Sequence, residues 1–200
     1  MKKEKSSDQK NSLKRNIIEW VVIITVIGGI YFSGYGPEVI GTLQRGLLAT
    51  GILRPDTDID PEEVIPAWFN FTLENESGEL LSFSEFRGKT IFLNFWATWC
   101  PPCIAEMPNI QKLYDDVGNQ DDLVFVMLSL DEDPDKARAF VKRKEFDFPI
   151  YFLRSRRPGV YNSTAIPTTY VISPEGEIVL EKKGMSNYNT DEFREFLLSL

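Results

Sequence analysis

The sequence predicts an α/β sandwich with a mixed β-sheet, preceded by a single membrane-spanning helix, and three observations carry that prediction. Two apolar runs, residues 90–96 and 123–130, each precede a stretch that reads as a helix, 101–117 and 134–144. Strand–helix alternation of this kind builds parallel strands with helices packed on them. Further on, residues 168–172 and 177–180 flank Ser173-Pro174-Glu175-Gly176, a hairpin turn that adds an antiparallel pair. Near the start, residues 17–35 are almost wholly apolar, and as a helix they reach about 28 Å, close to the hydrocarbon thickness of a bilayer.

Residues 1–16 are polar and basic, with Lys2, Lys3, Lys5, Lys10, Lys14 and Arg15 and no apolar period, as in a disordered tail. In residues 17–35 Glu19 is the one charge, close to the basic end, and Trp20, Tyr31 and Tyr35 suit the two interfaces. The positive-inside rule puts the tail in the cytoplasm and everything after Tyr35 outside. Ser33-Gly34-Tyr35-Gly36 is a mediocre cleavage site and the basic tail is long, so an uncleaved anchor is favoured over a signal peptide. Residues 36–61 read as a linker. Within it, 39–53 is apolar but interrupted by Gln44 and Arg45, too short to span and suited either to the membrane surface or to connection.

A globular domain is expected over 62–200. It would open with a strand over 67–73, turn at 75–79 into 80–83, and enter a central strand over 90–96. The helix after Cys100 should run to about Val117, with a kink at Pro108. Residues 123–130 form a strand buried on both faces, 134–144 a helix after Asp133, and 149–153 a short strand. Phe193, Phe196 and Leu197 at i, i+3 and i+4 make 191–200 an amphipathic closing helix.

Composition excludes several function classes. The chain has no His, which removes Ser-His and Cys-His hydrolase arrangements and most transition-metal sites. Its net charge is −8, and residues 1–54 carry eight basic against four acidic residues, leaving 55–200 at −12. Such an acidic domain argues against a nucleic-acid partner.

The only two cysteines lie in Trp96-Ala97-Thr98-Trp99-Cys100-Pro101-Pro102-Cys103, after the apolar run that ends at Phe95. Pro101 and Pro102 suit the first helical turn, where a missing N–H costs nothing. Cys100 then falls at the N-cap, where the helix dipole lowers a thiol's pKa. Cys103, one turn on, can attack a mixed disulfide held on Cys100. Zinc would lack ligands, a structural disulfide closing so short a loop gains little, and haem attachment would need His where Ile104 stands. The stretch reads as a dithiol–disulfide redox centre, with the disulfide itself as the redox group and no further cofactor.

Arg87-Gly88-Lys89, the block from Asn94 to Cys103, Glu106-Met107-Pro108, Ile166-Pro167-Thr168-Thr169 and Pro174-Glu175-Gly176 together resemble the TlpA/ResA family. These are membrane-tethered, extracytoplasmic thiol–disulfide oxidoreductases of the thioredoxin superfamily. The resemblance implies a thioredoxin-like three-layer sandwich over 62–200, anchored by a single pass in the cytoplasmic membrane with the domain on the periplasmic side. It makes Cys100 the exposed attacking cysteine, Cys103 the buried resolving one, and Pro167 a cis-proline against the disulfide. Ile166 would pair with the substrate backbone, and Trp99, Pro101 and Pro102 would line the contact surface, while Trp96 packs in the core. Glu106, one turn after Cys103, becomes the candidate base for that thiol. Cytoplasmic thioredoxins bury an Asp where this chain has Asn94, which cannot take up a proton at physiological pH; that strengthens the case for Glu106.

By the same resemblance the partners are disulfide-containing clients, apocytochrome c among them, and a membrane electron donor of the DsbD/CcdA type. Two other readings stay open: a protein-disulfide oxidant or isomerase, and a tethered thioredoxin-fold binding module. Arg154-Ser155-Arg156-Arg157 reads as a solvated basic loop rather than a docking site.

Overall fold

A computed structural model describes residues 4–33, 35–59 and 62–200, with side chains left out for 4–15, 31 and 32. It divides into two compact units, 1–36 and 37–200. The first is one helix, α1 (Glu4–Ser33), whose residues Ile17 to Ile27 expose large aliphatic side chains. Among the described residues no helix is long and apolar enough to cross a membrane. Gly34, inside the apolar run, lies outside the described residues, as do Met1, Lys2 and Lys3 of the basic tail.

The second unit begins with α2 (Gly36–Ala49), so the compact body starts well before Glu62, where the sequence places its boundary. The reason is a set of long-range contacts that hydropathy does not encode. Gly41 lies against the Pro101 carbonyl and Ile104, Leu48 is buried, and Glu38 pairs with Arg143 and Lys144.

Eight strands form one mixed sheet: β1 (Ile65–Pro66), β2 (Thr72–Asn75), β3 (Leu80–Ser82), β4 (Thr90–Trp96), β5 (Leu123–Ser129), β6 (Ile150–Leu153), β7 (Thr168–Ile172) and β8 (Glu177–Lys183). Their order is β1-β8-β7-β4-β5-β6-β2-β3, with β4–β5 and β5–β6 parallel and the other pairs antiparallel. The helices are α3 (Pro101–Val117), continuous through Pro108, α4 (Pro134–Lys144) and α5 (Asp191–Ser199).

Both faces of β4 are buried, and alternate residues serve different cores. Phe92 and Trp96 pack with Cys103, Ile104, Met107 and Ile110 of α3, Phe140 of α4, and Phe193 of α5. Ile91, Leu93 and Phe95 face the other way, against Phe69, Phe71, Phe83, Tyr161 and Tyr170. The three-layer expectation is therefore corrected in one respect. Helices α3, α4 and α5 all serve the first core, and the second is roofed by irregular chain and the short 3-10 turns Phe83–Phe86 and Gly159–Tyr161. Two successive parallel crossovers run the same way, β4 to β5 to β6, and right-handed connections put both helices on one face.

That roof also explains the expected strand over 67–73. Only Thr72 and Leu73 enter β2; upstream, the Phe71 N–H turns back to the Phe69 carbonyl (3.1 Å), and both rings stack on Phe83. Apolar alternation there reflects burial of two aromatics without a ladder.

Candidate active site

Strand β4 ends at the sheet's centre, and Ala97, Thr98 and Trp99 carry the chain into α3. This short loop is held by a group that sequence reading missed. Asp131, just past the end of β5, accepts from the Thr98 N–H (2.9 Å), the Thr98 hydroxyl (2.6 Å) and the Ser129 hydroxyl (2.9 Å). An acidic residue immediately after the strand-like run 123–130 was the available signal, because parallel neighbours end on the same edge of the sheet.

Cys100 is the N-cap of α3, in extended conformation, and its Sγ accepts from the Cys103 N–H at 3.2 Å. Pro101 and Pro102 occupy the first turn, as their fixed φ and missing donors suit. The two cysteines are bridged, with S–S 2.08 Å and Cα atoms 5.3 Å apart. Cys103 is fully buried, and Cys100 keeps only 4% exposure, less open than the attacking position expected of it. Its Sγ lies 3.7 Å from the Ile166 carbonyl oxygen, which leaves little room for water there. Trp99 is 57% exposed beside it, whereas Trp96 is buried against Phe140. Ile166–Pro167 is a cis peptide, bringing the start of β7 against the disulfide.

Behind the cysteines Glu106 is completely buried on α3. Asn94 Nδ2 of β4 donates to its Oε1 (2.9 Å), and the Ser186 backbone N–H donates to its Oε2 (3.0 Å). Burial pushes its pKa up to about 8, and the two hydrogen bonds offset only part of that rise. Asn94 Nδ2 also donates to Thr169 Oγ1 (2.8 Å), which in turn accepts from the Tyr188 hydroxyl (2.8 Å). The Tyr188 phenol is held well above its ordinary range, by burial first and then by Glu106. Ser186 and Tyr188 come from the segment after β8, where no motif announces them. Thr169 is the second Thr of Ile166-Pro167-Thr168-Thr169; its register opposite Asn94 on β4 gives it a neighbour that sequence did not supply.

The structure thus brings Trp99, Cys100, Pro101, Pro102, Cys103, Glu106, Ile166 and Pro167 to one end of β4 and α3. Arg154 stands apart. It pairs with Glu74 (2.8 Å), and Arg157 bonds Asn162 (3.0 Å), so two of the loop's three cations have local structural partners. A buried carboxyl one turn from a buried sulfur, with a second sulfur at a helix N-terminus, can move a proton and exchange a disulfide.

Residues 65–180 match the AhpC/TSA family. The ResA thiol-disulfide oxidoreductase of Halalkalibacterium halodurans is 36% identical over 130 residues, 64% of this chain and 73% of that protein. The ResA of Bacillus subtilis is 34% identical over 111 residues, 55% of this chain and 62% of its own length. Among solved structures, StoA from Bacillus subtilis superposes with a TM-score of 0.53 at 28% identity, covering 66% of this chain and 97% of that one.

Proposed function

Since the chain belongs to the AhpC/TSA family and, with its ResA relatives, to the thiol-disulfide oxidoreductases, we propose that it reduces protein disulfides outside the cytoplasm. Residues 17–35 hold it to the cytoplasmic membrane, with the basic tail inside and residues 37–200 on the periplasmic side. The outward residues of α2, Val39, Ile40, Leu43 and Leu47, lie at the lipid surface.

In the reduced enzyme the Cys100 thiolate, favoured by the N-terminus of α3, attacks one sulfur of a client disulfide. A Cys100–client disulfide forms and the other client sulfur leaves as a thiolate. Cys103 then gives its proton to Glu106 and attacks Cys100 Sγ. The Cys100–Cys103 bond forms, the second client sulfur is expelled, and the client has gained two electrons. Ile166 offers its backbone to the client chain beside Pro167, with Trp99 at the rim. A membrane donor of the DsbD/CcdA type restores the dithiol, and apocytochrome c is the client class that the ResA-like residues favour.

The observation that carries this reading is Glu106, a buried carboxyl one turn behind Cys103 whose raised pKa suits it to take a proton near neutrality. Between the cysteines stand only Pro101 and Pro102, with no charge to stabilise a thiolate as a strong oxidant requires. The test is the equilibrium reduction potential of Cys100/Cys103 against dithiothreitol or glutathione buffers, with Cys100→Ser as the inactive control in insulin reduction. A value at or below about −250 mV supports a reductase, and one near about −120 mV makes the enzyme an oxidant and overturns the direction.

A further inference from the structure

Asn94 Oδ1 is buried and has no hydrogen-bond partner, while the other end of the same amide has two, Glu106 Oε1 and Thr169 Oγ1. That arrangement suits only one state of Glu106. The Ser186 N–H is a backbone donor with a fixed direction, aimed at Oε2. A proton arriving on the carboxyl group is therefore best placed on Oε1, the oxygen that faces Asn94, because a carbonyl oxygen accepts the fixed Ser186 N–H better than a hydroxyl oxygen does. There it would meet the amide Nδ2, donor against donor, and neither hydrogen would have an acceptor.

We propose that Asn94 is a positioning residue for the redox reaction, whose side-chain amide turns over when Glu106 takes the Cys103 proton and so presents Oδ1 to the new O–H. Thr169 makes the turn possible. Its hydroxyl accepts from Asn94 Nδ2 in the charged state and can donate to Asn94 Oδ1 in the neutral one, because a hydroxyl does both. Tyr188 keeps donating to Thr169 Oγ1 throughout and fixes where that oxygen stands. The two states are not equal in cost. The turned amide carries both N–H donors to the side where Oδ1 now stands without a partner, and gives up the bond from Nδ2 to a charged carboxylate, whereas the unturned one leaves a single carbonyl oxygen unpartnered. The network thus returns Glu106 to its charged form once the proton can leave. Among the described residues Tyr188, from the segment after β8, is the titratable group that acts on Glu106; Cys103 lies one turn earlier on its own helix and titrates only in the reduced enzyme, while β4 and β7 offer the neutral Asn94 and Thr169.

This inference rests on Glu106 as the proton acceptor, and Glu106→Gln separates the two ideas. The Gln carbonyl must accept from Ser186, so its Nε2 points at Asn94 as the protonated acid's O–H does. In full-length chain labelled with ¹⁵N-asparagine, in detergent micelles, the Asn94 Nδ2 protons are expected to sit downfield in the parent at pH 10. In Glu106→Gln they should move to the upfield positions of unbonded amides at every pH. If they stay at the parent positions, the amide does not turn and the proposal is wrong, whatever happens to activity. If they move but client release is as fast in Glu106→Gln as in the parent, the base reading fails and takes the redox role of Asn94 with it, although the amide does turn. Asn94→Ala supplies the kinetic measurement: release of a Cys100-linked client should slow at least about tenfold, with the first attack by Cys100 within about twofold. Equal loss in both steps would reduce Asn94 to a structural role.

Discussion

Glu106 is an expensive residue to bury. In the unfolded chain its carboxyl ionises near the ordinary 4.5, and in the fold at about 8. A raised carboxyl binds its proton more tightly when folded, so its contribution to stability is complete below the unfolded pKa and is lost as pH climbs through the folded one. The loss between pH 4.5 and 8 is on the order of 5 kcal/mol if fully expressed. Denaturant unfolding should therefore show the parent weakening from pH 5 to pH 8.5. Glu106→Gln, which has no charge to bury, is expected to be level over that window and the more stable protein at pH 8.5. A variant that weakens as steeply as the parent would place the pH dependence elsewhere. The position is kept at this cost because a carboxyl in water beside Cys103 would be too acidic to take up a thiol proton at neutral pH.

At the scale of elements, α2 is the informative case. Its inward side carries Gly41 and Leu48, and it ends close to chain that reaches the active site: the Leu53 carbonyl accepts from the Asn187 N–H at 2.8 Å, one residue from Ser186. A Cβ at Gly41 would stand 2.8 Å from the Pro101 carbonyl oxygen, a backbone atom that cannot swing aside. Gly41→Ala should therefore lift α2 from the first turn of α3 and cost about 1–3 kcal/mol. Gly46, in the same helix, has nothing within 4 Å of that point, and Gly46→Ala should gain about 0.5–1 kcal/mol from helix propensity. The opposite signs, read as urea midpoints, separate packing from propensity; two shifts of the same sign would mean that α2 is not docked there.

For the whole molecule, the division at residue 36 makes a clear expectation. Every group placed in the redox site belongs to 37–200, the second compact unit. A chain lacking residues 1–36 should leave the membrane fraction on cell breakage and keep insulin reduction within about twofold of the full chain in detergent, since it retains every one of those groups. A truncated chain that still sediments with membranes would move the anchoring role to α2. Starting instead at residue 62 removes α2 and the Leu53 carbonyl, and such a chain should unfold at lower urea than 37–200.

What sequence alone determined is local. Cys-Pro-Pro-Cys after an apolar run specifies a strand, an N-cap cysteine and a helix begun by prolines, because capping and proline stereochemistry act over a few residues. Apolar runs located β4 and β5, the hairpin turn located β7, the Asp133 cap located α4 and i, i+3, i+4 spacing located α5, for the same reason. The spacing of Cys103 and Glu106 placed both on one helix face. Tertiary structure decided everything that joins distant segments. It docked α2 onto α3, turned residues 67–71 into a roof, and set Asp131 under Thr98. Above all it surrounded Glu106 with Asn94 from β4, Thr169 opposite Asn94 on β7, and Ser186 and Tyr188 from beyond β8. A carboxyl's pKa depends on what excludes water from it and which donors reach it. Those neighbours come from three parts of the chain, and they meet only when the sheet has formed.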